Sequence, residues 1–101
     1  MSEFKTIASA QEFPASGKTV VCVEGRKIAV FRLEEKYFAV DESCPHKGGP
    51  LSAGWVEDGV VRCPLHAWGF DLATGACVDN PSRPVRAYAV RMVDDAIQIE
   101  I

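Results

Sequence analysis

Both histidines of this chain of 101 residues stand close behind a cysteine, in Cys44-Pro45-His46 and again in Cys63-Pro64-Leu65-His66. Thiolate sulfur and imidazole nitrogen are soft or borderline ligands, and four of them on two short segments suit one metal ion or a small cluster. A structural zinc ion takes four ligands tetrahedrally and is usually served by pairs of like residues. Here each segment carries one ligand of each type. That mixed pairing suits a [2Fe–2S] cluster with two unlike irons, one held by Cys44 and Cys63, the other by His46 and His66. On ligand types alone a zinc-stabilised interaction module stays open. The remaining cysteines, Cys22 and Cys77, lie in apolar surroundings and read as buried thiols that pack as small hydrophobes, with no disulfide between them.

The elements that must position these ligands are strands. Short β-rich runs punctuated by turn residues fill the chain: "KTVVCV", "KIAVFRL", "KYFAVD", "GVVRC", "VRAYAVRMV" and "AIQIEI". The connections "EEK" and "EDG" are hairpin candidates. Ile97, Ile99 and Ile101 alternate with Gln98 and Glu100, as a strand with one buried face requires. Only "SAQEFP" looks helical, for a turn or so. Residues of about 42–80 are richer in Gly, Pro, Cys and His than their flanks. The expectation is one all-β domain over 1–101: an antiparallel β base, sandwich or barrel, from about 1–41 and 81–101, with a small cluster-binding subdomain inserted at about 42–80.

Composition excludes several functions. Net charge is −3, from eleven basic and fourteen acidic side chains, and no Lys/Arg run marks a nucleic-acid surface. No apolar stretch approaches the roughly 18 residues of a membrane span, and the first residues lack a signal-peptide core. A cytoplasmic protein with no membrane partner is expected. No G-x-G-x-x-G follows a strand, so the chain has no dinucleotide fingerprint of its own. With both histidines needed as ligands, none is left for a 2-His-1-carboxylate iron site. If the four residues hold a [2Fe–2S] cluster, one-electron transfer to another protein is the chemistry expected, with no catalytic site of its own.

The segments "CPHKGGPLSAGWV" and "CPLHAWGFDLATGACV" resemble the two cluster loops of Rieske iron–sulfur proteins, and "DNPSRPV", with Pro81, resembles the third loop that covers the cluster. The resemblance implies a Rieske [2Fe–2S] cluster on Cys44, His46, Cys63 and His66. It implies that backbone N–H groups at Gly48 and Gly49 approach the bridging sulfides, and that Lys47, Gly48, Trp68 and the 79–85 loop rim a docking face. High-potential members tie the loops with a disulfide at the positions of Gly49 and Leu65, and hydrogen-bond the cluster through hydroxyls at the positions of Trp68 and Phe70. Neither device exists here. The potential implied is low, toward the bottom of the roughly −150 to +300 mV span of Rieske centres. Trp55, Trp68 and Phe70 read as core and loop packing that shields the cluster. Asp41, Glu42, Glu57 and Asp58 read as solvated turn charges.

Within the family, "CPHKGGPLS" followed by "CPLHAW" is most similar to the small subunit of NAD(P)H-dependent nitrite reductase, whose large reductase subunit would be the partner. The alternative is a free ferredoxin that passes electrons from a flavin reductase to a Rieske dioxygenase. Such ferredoxins more often carry Thr at the position of Pro45.

Overall fold

The computed structural model describes residues 3–45, 48–65 and 67–101. His46, Lys47 and His66 lie outside the described residues. Ten strands are present among the described ones, in three antiparallel sheets, and the only helical element there is a 3₁₀ turn at Leu51–Ala53.

The central sheet joins β2 (Lys18–Val23), β3 (Arg26–Leu33), β4 (Lys36–Asp41) and β8 (Ala87–Tyr88) in that order. Its middle strand is the run "KIAVFRL", apolar on both faces because both are covered. Ile28 and Val30 face one core, with Phe13, Ala39, Tyr88, Ile97 and Ile99. Ala29 and Phe31 face a second core, with Val40, Cys44, Leu51, Val61, Cys63, Phe70, Leu72, Cys77 and Val85. Side chains alternate across a strand, so one strand serves both cores. The first core is closed by the sheet β1 (Phe4–Ser9), β10 (Ala96–Glu100) and β9 (Val90–Val93). The second is closed by β5 (Trp55–Glu57), β6 (Val60–Arg62) and β7 (Gly69–Asp71).

The predicted hairpins form. Leu33 pairs with Lys36 across Glu34–Glu35, and Glu57 with Val60 across Asp58–Gly59. Asp58 and Gly59 both have positive φ, 50° and 77°, as a two-residue hairpin turn twisted to match its strands requires.

Several expectations need correction. "SAQEFP" is not helical: Glu12 and Phe13 donate only to the carbonyls three residues back, and Pro14 stops any continuation. The run "VRAYAVRMV" is two strands interrupted at Ala89, β8 pairing with β4 and β9 with β10, because the chain passes there from one sheet to the next. Strand β1 carries no strong alternation; it forms by pairing with β10, with an irregularity between Thr6 and Ala8. Cys22 is exposed. It sits opposite Lys27 on β2, the edge strand of the central sheet, where β5–β7 do not cover it. Cys77 is buried, as expected, and the two thiols are not joined.

Candidate metal centre

Each cysteine begins a six-residue loop held by a strand pair at its stem. Ser43 pairs with Pro50 around Cys44–Gly49, and Arg62 pairs with Gly69 around Cys63–Trp68. The closing hydrogen bonds correspond one for one. Cys44 N–H donates to Gly49 O at 2.9 Å, and Gly48 N–H donates to Cys44 O at 2.7 Å. Cys63 N–H donates to Trp68 O at 2.8 Å, and Ala67 N–H to Cys63 O at 2.8 Å. The fifth residue of each loop is left-handed, Gly48 at φ 70° and Ala67 at φ 60°. Glycine adopts this region freely, whereas alanine does so at a cost of roughly 1–2 kcal/mol.

The loops bring both cysteines into the second core, Cys44 at 2% exposure and Cys63 at 0%. They also touch each other: a Cβ built on Gly49 would lie 2.8 Å from Cys63 Sγ and 2.9 Å from Leu65 Cδ1. A glycine is needed at position 49 for this close approach of backbone to a sulfur. The contact also puts positions 49 and 65 side by side. Gly48 departs from expectation, because its N–H is used by the Cys44 carbonyl.

Phe70 is fully buried in the same core, beside Cys77 through an isolated bridge, and Trp68 packs partly buried against it. Burying a side chain of the size of Phe70 contributes about 1.5–3 kcal/mol, so these residues fix the floor under the cysteines. Trp55 does not belong to this packing. It lies on the outer face of β5, opposite Arg62, and is 44% exposed. Leu65 is exposed at the loop tip, and Pro81 is exposed in the 79–85 loop.

The acidic residues are not all solvated. Glu42 is buried and accepts from Ser52 N–H at 2.8 Å and from Ser52 Oγ–H at 2.6 Å, tying the 3₁₀ turn to the stem of the first loop. Asp41 accepts from Tyr88 Oη–H at 2.6 Å, and Arg26 donates to the same phenol oxygen at 3.3 Å. Burial first, and then the bond to Asp41, raise the Tyr88 pKa above its ordinary 10.0, while Arg26 acts in the opposite direction.

Sequence reasoning passed over Arg62, Asp79 and Arg83. Arg62 Nη1 donates to Ala67 O at 2.9 Å and lies 3.5 Å from Asp79 Oδ2. Asp79 Oδ2 accepts from Gly69 N–H at 2.7 Å, and Arg83 Nη1 reaches Pro45 O at 3.5 Å. Charged residues that serve backbone atoms leave no periodicity to read.

Two buried thiols on equivalent loops, with backbone packed against one sulfur, fit a [2Fe–2S] cluster. Histidines two and three residues after the cysteines complete the donor set in the sequence. The fold and this pair of loops define an iron–sulfur electron carrier. The chain belongs to the Rieske-like [2Fe-2S] domain family, which matches residues 3–100. It is therefore a Rieske-cluster one-electron carrier, related to the ferredoxin components of dioxygenase systems. It is similar to the anthranilate 1,2-dioxygenase ferredoxin subunit of Burkholderia cepacia, 35% identical over 102 residues that span 100% of this chain and 94% of that one. Its fold is similar to that of the ferredoxin of carbazole 1,9a-dioxygenase from Nocardioides aromaticivorans IC177, with TM-score 0.86, 27% identity and 95% of each chain covered. It is also similar to a chain assigned as the small subunit of an NADH-dependent nitrite reductase from Mycobacterium tuberculosis, with TM-score 0.90, 26% identity, and 100% of this chain and 96% of that one covered. No helix among the described residues is long and apolar enough to cross a membrane.

Proposed function

We propose that this protein is the ferredoxin of a Rieske dioxygenase system, taking single electrons from a flavin reductase and delivering them to a terminal oxygenase. The observation that carries the reading is the end-to-end likeness, at 35% identity, to a dioxygenase ferredoxin subunit. It favours the alternative over the preference drawn from "CPHKGGPLS" and "CPLHAW", since motifs around the ligands sample the part of the fold that all branches share.

Cys44, His46, Cys63 and His66 would hold the cluster, which supplies a one-electron couple when bound. The buried cysteines would place its thiolate ligands against the second core. Trp68 and Phe70 bring no hydroxyl to the sulfurs, which keeps the potential low. Lys47, Gly48, Leu65, Trp68 and the 79–85 loop with Pro81 would border the docking face.

A second reading rests on the nitrite reductase small subunit, whose fold is similar over the whole chain. One experiment separates them. The iron-loaded protein is added to a reductase and oxygenase pair from an aromatic-ring dioxygenase system, and to a siroheme nitrite reductase large subunit. NADH-dependent formation of the cis-diol that needs this protein is the expected result. Support of nitrite reduction with no oxygenase turnover would favour the small-subunit reading.

A further inference from the structure

We infer that Arg62 and Asp79 form a strap that holds the left-handed end of the second cysteine loop and ties it, through the third loop, toward the first. Arg62 and Asp79 are thus positioning residues for the cluster. The inference rests on the assignment of Cys63 as a ligand. Four observations support it.

Ala67 is held at φ 60° without the freedom of glycine, and its carbonyl receives the Arg62 guanidinium at 2.9 Å. The equivalent residue of the first loop is Gly48. Gly69 leaves room for the guanidinium, since a Cβ there would sit 3.1 Å from Arg62 Nη1 and still closer to Val60 and Val78. Asp79 joins Arg62 to the 79–85 loop while accepting the Gly69 N–H. From Asp79 the loop continues through a turn, Arg83 N–H to Asn80 O, and Arg83 then reaches Pro45 of the first loop. The strap therefore runs from Ala67 to Pro45 by way of the third loop.

Magnitudes decide which link matters. The Arg62–Asp79 pair is 3.5 Å apart with side chains 30% and 43% exposed, and pairs of that kind contribute little. The bond from a charged guanidinium to a carbonyl whose residue is backbone-strained is the stronger link.

The test follows iron loss to a chelator under native conditions, by the decay of visible absorbance. Arg62→Met keeps the side-chain stem and removes the guanidinium. It should speed iron loss by about tenfold or more, the low end of what outer partners of metal sites contribute. Adding Ala67→Gly, which relieves the backbone without restoring the guanidinium, should recover most of that loss. Asp79→Asn should have a smaller effect. If Arg62→Met does not fold, Arg62→Lys should load iron and lose it at an intermediate rate. In the apoprotein, hydrogen exchange at the Gly69 amide should quicken in Asp79→Ala. Unchanged iron loss in Arg62→Met or Arg62→Lys would overturn the strap, as would failure of Ala67→Gly to rescue. A wild-type protein that binds no iron would instead overturn the ligand assignment.

Discussion

The two cysteine loops share one backbone design and differ in what secures it. The first enters from a stem braced by buried Glu42 and by Asp41, which Tyr88 grips from β8. It satisfies its left-handed position with Gly48. The second continues a β-hairpin, β6 to β7, and places Ala67 at the equivalent position with Arg62 bonded to its carbonyl. One loop thus uses a residue intrinsically suited to the conformation. The other holds a less suited residue in place from outside. The same left-handed backbone geometry can be met by local preference or by a tertiary contact, and the chain uses both.

The largest expected effect separates these loops from the other cysteines. Cys44→Ala or Cys63→Ala should abolish the two-iron, two-sulfide content and the rhombic EPR signal of the reduced cluster. Cys22→Ser and Cys77→Ala should keep both. Cys77→Ala should also lower stability by about 1 kcal/mol, because a buried group is removed, while exposed Cys22 should cost almost nothing. Iron analysis and denaturant unfolding read both quantities, and iron lost from a Cys77 variant would mean that the ligands are misassigned.

A smaller effect compares the left-handed positions directly. A Cβ added at Gly48 would meet nothing within 4 Å, so Gly48→Ala measures backbone strain with no packing term. It should cost about 1 kcal/mol. Ala67→Gly relieves the same strain but gives the unfolded chain more freedom, so it should be stabilising by less than about 1 kcal/mol. Urea midpoints of the two variants should move in opposite directions. Movement in the same direction would break the equivalence of the loops.

The smallest effect concerns the brace on the first stem. Tyr88 has its pKa raised above 10.0, so the fold favours its protonated form. Its contribution is complete below about pH 10 and is lost as pH rises through the higher folded value. Unfolding free energy of the wild type should therefore fall with pH above 10, and less steeply in Tyr88→Phe. The absorbance change of tyrosinate in the wild type should contain a late component that this variant lacks.

Much of this was written plainly in the chain. The runs of β2, β3, β4, β6 and β10, the hairpin turns and the Cys–His spacing follow from side-chain period, turn chemistry and ligand type, which are local properties. Alternation reveals that a strand has two faces; it does not reveal what covers each one. Cys22 and Trp55 looked like core residues and proved exposed, since β2 is an edge strand and Trp55 points off the outer face of β5. Strand β1 exists because β10 offers a partner, and the break at Ala89 because two sheets compete for one run. Glu42, Arg62 and Asp79 acquired their roles by meeting backbone atoms of other segments. The sequence by itself determined the Cys–His spacing, the all-β class and the central strands. The tertiary structure alone decided which charges support the site, because a polar side chain's role depends on the unpaired N–H or C=O that folding brings within its reach.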